Sequence, residues 1–335
     1  MRRFKVITYK FLINILLRLP DAFYAILFAV VFPIYKALHK KRAYGRVEKH
    51  LAAAKEYAAN VYTKEMRAVP YADSALFAVT PRDTFHGIFW NALESYRGLA
   101  HFKSVEKRIV YENEHIIQGA IAECAKQNAP IAGISIHQGA FELLHRALCR
   151  YSEHVHLITD SVGDIAFREV LKELRSDPHL TEYHPDETGR LIRKLFRTKG
   201  ILAMVVDQGK HTKGNIVSLF GRPSTLYLRL PQKINEMGAG IVTFRTWTEY
   251  ENNSPHDKHS RKKRIVIRFE SYYPPQYDVT HKPPHITPST LNIRSTNESP
   301  LVNSIAHEIE TWIADHPEQW SWNYHGNFVS PTSSN

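Results

Sequence analysis

The sequence predicts an α/β domain with a central, mostly parallel or mixed sheet flanked by helices, preceded by an N-terminal hydrophobic membrane-anchor helix. Three observations carry that expectation. Short apolar runs at 131–136, 155–159, 201–206 and 241–247 alternate with helical patterns at 141–151, 165–175 and 188–198, the order that wraps helices around a parallel sheet. An uncharged apolar stretch at 22–35 sits inside a strongly basic segment. With 335 residues and 43% hydrophobic composition, the chain can bury a sizeable core, which excludes disorder as its dominant state.

The charge pattern narrows the partners. Residues 1–50 hold 11 basic side chains against Asp21 and Glu48, giving +9 of the total +11. The remaining 285 residues carry 33 basic and 31 acidic side chains, only +2. A nucleic-acid-binding body would keep its positive charge on the folded domain, whereas a basic excess around an apolar stretch suits an anionic membrane surface. Cys124 and Cys149 are too few for a disulfide framework or a four-cysteine zinc site, and they fit a reducing compartment.

Taken in chain order, the first element is the anchor, residues 1–45 with basic flanks. Its apolar blocks are 11–17 and 22–35, and the fourteen residues of the second rise about 21 Å as a helix, short of a hydrocarbon core of about 30 Å. A longer span would have to include Arg18, Pro20 and Asp21, so a tilted, re-entrant or interfacial helix stands beside a clean crossing. A cleavable signal peptide fits less well, because Lys and Arg follow the apolar run as well as precede it and no small-x-small site is present. By the positive-inside rule, the basic cluster over 36–49 predicts that the body lies in the cytoplasm.

The body, 46–335, begins with a helical lead-in over 46–128. There Val47, Leu51, Ala54, Tyr57, Ala58 and Val61, and later Phe89, Leu93, Tyr96 and Leu99, recur at helical spacing. An α/β core over 129–270 follows, closing on the alternating segment 264–270, whose Ile265, Ile267 and Phe269 share one face. The polar stretch 252–263 reads as an exposed hairpin loop. A C-terminal extension over 271–335 opens with a long connection rich in Pro, His and Thr and includes a last helix over 302–315 before Pro317.

Chemistry concentrates where the strand at 131–136 ends. His137 follows it directly, and Glu142 stands five residues on. On one helix the two would lie about 140° apart, so they meet only if His137 sits in the turn and Glu142 reaches back from the first helical turn. Glu142 would then hold one imidazole nitrogen and leave proton transfer to the other. Taken alone, the spacing also fits an ordinary surface pair. His145, His154 and His156 read as ordinary helix and strand residues. Gly133, Ser135 and His137 mimic part of a nucleophile elbow, but the final glycine is missing and Ser135 lies inside the apolar strand.

Further along, a basic helix ends in Lys199-Gly200, an apolar strand ends in Asp207-Gln208, and Phe220-Gly221-Arg222-Pro223 follows. Near the other end stands Pro317-Glu318-Gln319-Trp320-Ser321-Trp322. With the His-x4-Glu element and the N-terminal apolar segment, this ordered set resembles the lipid A biosynthesis late acyltransferases. These lauroyl/myristoyl transferases belong to the lysophospholipid acyltransferase-like superfamily.

The resemblance implies a membrane-associated acyltransferase of lipopolysaccharide biosynthesis, moving a fatty acyl chain from a thioester on acyl carrier protein to a hydroxyl of a lipid A precursor or related glycolipid. It implies His137 as base and Glu142 as orienter, with Arg175, Asp207, Gln208 and Arg222 binding substrate or stabilising charge. Neither metal nor cofactor is implied. Arg190, Arg193, Lys194, Arg197 and Lys199 offer a basic helix to an acidic carrier protein, or simply a solvated face. The chain departs from the family at Gln138 and Ala140, where an aromatic residue and Asn are usual. It also has no Lys or Arg after Arg294, where the family carries a basic element, which bears on a bisphosphorylated acceptor. A phospholipid or mannosyl lipid acceptor, or a non-catalytic lipid-binding protein, remains the alternative.

Overall fold

The computed structural model describes residues 2–65, 75–159, 164–208, 213–250, 263–276 and 299–322. Two apolar helices come first, α1 (Arg2–Leu16) and α2 (Asp21–His39), joined by a tight turn through Pro20. A π-helical turn (Lys40–Tyr44) carries the chain into α3 (Gly45–Glu65). The helical run Asp21–Val61 is long and apolar enough to cross a membrane by length and composition alone, with 17% of its apolar window buried. Val47, Leu51, Ala54 and Ala58 of α3 are buried, as their spacing predicts.

Helix α4 (Pro81–Ala100) starts at a capping box. The Thr80 hydroxyl accepts from the Asp83 amide, the Asp83 carboxylate accepts from the Thr80 amide, and Pro81 occupies the first helical position, where no amide is needed. Next come α5 (Phe102–Val105), β1 (Ile109–Glu112), α6 (Glu114–Lys126) and β2 (Ile131–Ser135). A 3-10 turn over Phe141–Leu143 leads into α7 (Leu144–Leu148), followed by β3 (Val155–Ile158), α8 (Ile165–Arg175), β4 (Leu180–Tyr183), α9 (Thr188–Thr198) and β5 (Ile201–Val205). The hairpin β6 (Asn215–Leu219) and β7 (Arg222–Leu226) precedes α10 (Arg229–Glu236), β8 (Gly240–Tyr250), β9 (Lys263–Tyr273) and α11 (Pro300–Asp315).

Seven strands form one sheet in the order β1-β9-β8-β2-β5-β3-β4, and β6 pairs with β7 apart from it. Only β8 and β9 pair antiparallel within the large sheet; its other neighbours are parallel. The mixed α/β architecture expected from the sequence is therefore present. Every residue of β2 is buried, which is why its apolar run is unbroken rather than alternating. On β9, Ile265, Ile267 and Phe269 share a buried face, and Val266 on the opposite face is buried too, because helices cover both sides.

Several elements differ from the sequence reading. The lead-in is not wholly helical, since β1 pairs parallel with β9, some 150 residues distant. Strand β4 and the β6–β7 hairpin are also additional. These strands have four or five residues each, too short for a periodic pattern, and they exist because distant partners supply their hydrogen bonds. The helix expected over 141–151 shrinks to a 3-10 turn and five residues of α7. The connections expected over 252–263 and 272–299 fall largely outside the described residues. The strands flanking the first of them pair antiparallel from Tyr250 opposite Lys263.

Candidate active site

The sheet register builds the site. Strands β2 and β5 are parallel neighbours with Ser135 opposite Val205, and the Val206 amide donates to the Ser135 carbonyl. Two residues beyond each strand end, at the carboxyl edge where open α/β sheets bind ligands, stand His137 and Asp207. The His137 Nδ1 donates to Asp207 Oδ1 at 2.7 Å, and the His137 backbone amide donates to the same oxygen at 3.1 Å. The Trp320 indole donates to Oδ2 at 3.1 Å. The Asp207 side chain is fully buried, while that of His137 is 16% exposed and lies edge-on to the Phe141 ring, 4.5 Å between centroids.

Burial alone would raise the Asp207 carboxyl. The facing imidazole, the two bonds from His137 and the Trp320 indole outweigh it and hold the carboxyl below the usual aspartate range. Asp207 is thus a permanent acceptor, which assigns the proton of the neutral imidazole to Nδ1 and its basic lone pair to Nε2.

This arrangement corrects the role expected of Glu142. Instead of Glu142, Asp207 takes Nδ1. The Glu142 carboxylate faces Arg175, the last residue of α8, in a two-pronged pair with Nε–Oε2 at 2.8 Å and Nη2–Oε1 at 2.6 Å. Glu142 sits in a 3-10 turn next to α8, and Arg146 fixes the partner by donating to the Leu174 and Ser176 carbonyls on either side of Arg175. Burial works to raise the Glu142 carboxyl, but the Arg175 charge and hydrogen bonds outweigh it, and the result lies below the usual glutamate value. Glu182 on β4 also feels Arg175, yet burial dominates and raises its carboxyl.

The turn after β2 and the segment 317–322 converge around Asp207. Gln138 bridges to Trp320 and donates to the Trp312 carbonyl at 2.8 Å, and the Gly139 amide donates to the Gln319 carbonyl at 3.2 Å. The same carbonyl accepts from Asn91 of α4 at 2.8 Å, and the Gln319 side chain pairs with the Thr248 backbone on β8. The segment 317–322 is therefore a strap that binds the His137 turn, α4 and β8 together. Gly139 is left-handed at φ 57°, and a Cβ there would run into the Thr246 carbonyl. Buried aromatic rings continue from there, with Trp320 edge-on to Trp322 at 4.8 Å and Trp322 tilted against Phe220 at 5.9 Å.

Phe220 and Gly221 form the two-residue turn of the β6–β7 hairpin, both at positive φ. The next residue, Arg222, lies beside His50 of α3 and is not brought into the contacts around His137 described above. Gln208, adjacent to Asp207, has a buried side-chain amide nitrogen with no hydrogen-bond partner among the described residues. Ser135 is buried and, among the described residues, its hydroxyl meets no hydrogen-bond partner, His137 included. Lys199 ends α9 in a left-handed conformation. Among the described residues, no three His, Cys, Asp or Glu side chains gather as a metal site would require.

Three further histidines tune stability rather than chemistry. Burial pushes His145, His156 and His316 down from the ordinary 6.5 to about 4. They stay neutral in the folded protein and take up protons more readily once unfolded. Stability should be complete above pH 6.5 and decline as pH falls toward 4, by roughly 1 kcal/mol per pH unit for each group. Urea midpoints measured from pH 7 to pH 4 check this, and a flat profile contradicts it.

No protein-family model matches this chain, and no curated protein matches it.

Proposed function

We propose that the protein is a membrane-associated acyltransferase that esterifies a lipid hydroxyl with a fatty acyl group drawn from a thioester. The observation that carries this reading is the His137–Asp207 pair at the carboxyl ends of adjacent parallel strands, with the Ser135 hydroxyl engaged in no hydrogen bond among the described residues. A histidine oriented by a carboxylate without a serine nucleophile suits direct attack by a substrate alcohol.

In this mechanism Nε2 of His137 takes the proton from the acceptor hydroxyl as its oxygen attacks the thioester carbonyl carbon. The new C–O bond forms, the C–S bond breaks, and the leaving thiolate recovers the proton from the imidazolium, giving an ester and a free thiol. Asp207 fixes the imidazole and stabilises it while charged. The developing oxyanion needs donors. The Glu142 pair uses Nε and Nη2 of Arg175, so Nη1 takes no part in it, and the unsatisfied Gln208 amide is a second donor. Glu142 is a positioning residue for Arg175.

The donor proposed is acyl carrier protein, an acidic partner. Arg190, Arg193, Arg197 and Lys199 are all exposed on or next to α9 and give it a complementary face. The acceptor proposed is a lipid A precursor or related glycolipid at the inner membrane.

Incubating the purified protein with acyl carrier protein thioester and lipid acceptors tests the reaction. Mass spectrometry of membrane lipids from a strain lacking the protein tests the acceptor. A missing acyl chain is the expected result. Unchanged lipids together with no transfer in vitro would overturn the reading.

A further inference from the structure

We infer that α1 and α2 form a docked platform lying in the plane of an anionic lipid leaflet, with the body on one side and lipid on the other, and that neither helix crosses the bilayer. The inference rests on the proposed membrane association but not on the acyl-transfer chemistry.

The first support is where the exposed apolar surface lies. Thirteen of the seventeen large apolar side chains exposed among the described residues belong to α1 and α2. They include Phe4, Ile7 and Phe11 on α1 and Ile26, Ile34 and Leu38 on α2. A patch this concentrated marks an interaction surface rather than scattered exposure.

The second support is that the opposite faces are held to the body along their length. On α1, Lys5 pairs with Asp164 at 3.1 Å, Lys10 pairs with Glu173, and Tyr9 meets Phe167 edge-on, all at α8. On α2, Tyr24, Phe28 and Phe32 are buried, and Phe28, Phe32 and Tyr35 pack on Phe85 and Phe89 of α4. The turn between the helices is clamped by Arg97 of α4, which donates to the Leu17 carbonyl at 3.2 Å, the Leu19 carbonyl at 2.6 Å and Asp21 at 2.5 Å. To place α2 across a bilayer would draw α4 in with it, and α4 carries Asp83, Glu94 and Arg97. Charged groups at that depth are costly.

The third support is charge. Exposed cations stand at both ends of α2, with Arg18 before it and Lys36, Lys40, Lys41 and Arg42 at or beyond its last turn. A helix lying flat brings both ends level with lipid phosphates, and a net +9 over residues 1–50 complements an anionic leaflet.

The platform rests on the helices that frame the candidate site. Helix α8 ends in Arg175, and Gly98 of α4 lies against Leu143, next to Glu142. The site is thus one helix layer from the lipid, where an acceptor can be reached while its chains stay in the leaflet.

The test uses the full-length protein with Cys149→Ala, the buried Cys124 left in place, and one exposed cysteine introduced by Phe23→Cys, Val30→Cys or Leu38→Cys, each carrying a polarity-sensitive fluorophore. Vesicles of phosphatidylglycerol and phosphatidylethanolamine carry quenchers at shallow or deep acyl positions. Expected are binding and equal, shallow quenching at all three positions. Neutralising Lys40, Lys41 and Arg42 to Gln should weaken binding about 100-fold. Deep quenching at Val30 with shallow quenching at Phe23 and Leu38 would mean that α2 crosses the bilayer, overturning the flat geometry while leaving membrane association intact. No binding to these vesicles would overturn both. Acyl transfer assayed in detergent, independent of vesicle binding, reports on the chemistry separately.

Discussion

Replacing His137 with alanine is expected to lower kcat for acyl transfer by about 10²–10⁴-fold, the usual contribution of a positioned general base, with KM little changed. Asp207→Asn should approach the same loss. An amide can turn its NH₂ toward Nδ1, which then holds the lone pair and moves the proton to Nε2, the nitrogen that must accept it. Single-turnover kinetics with a thioester donor measure both variants. The pH–rate profile adds a test, because loss of the His137–Asp207 pair should change its basic-group limb, whereas a purely structural defect would scale the whole profile. Wild-type rates in His137→Ala would remove the proposed base.

The second large effect concerns the Glu142–Arg175 pair. Each side chain is 14% exposed, so removing one partner leaves a charge in a mostly buried site without its counter-ion. Glu142→Leu or Arg175→Leu alone should cost about 3–5 kcal/mol of stability. The double substitution should recover most of that loss, because the pair can be replaced by apolar packing. Activity should not recover with it, since the guanidinium proposed to meet the oxyanion is gone. Denaturant midpoints and transfer rates on the same four proteins separate the roles. Full activity in the double variant would show that the pair only holds α8 against the turn after β2.

The degree to which the site can be read from the chain follows the distance over which each contact acts. His137 and Asp207 are each recognisable as polar residues just past an apolar run, and both belong to the candidate set. Their pairing depends on β2 and β5 being neighbours in register, although 70 residues separate the two side chains. Glu142 shows the reverse case. Its spacing from His137 suggests a local bond, but the turn is 3-10 and Arg175 lies within reach from α8. For Arg222, the short hairpin that places it beside α3 leaves no periodic pattern to read. The one available signal for the Asp207 partnership was that both residues follow short apolar runs in a chain whose alternating pattern predicts a mostly parallel or mixed sheet.

The amino-acid sequence by itself determined the α/β class, the helices at Ile165–Arg175 and Thr188–Thr198, the buried central strands and the basic apolar beginning, and it marked His137 and Asp207 as polar residues at strand ends. Those properties reside in local periodicity, composition and residue type, which each segment holds independently of its neighbours. The tertiary structure alone decided that Asp207 orients His137, that Glu142 belongs to Arg175, that the Trp320 segment straps the site, and that α1 and α2 dock with one face exposed. Each of these is a contact between segments far apart in the chain, fixed by strand order and side-chain packing that no local pattern encodes.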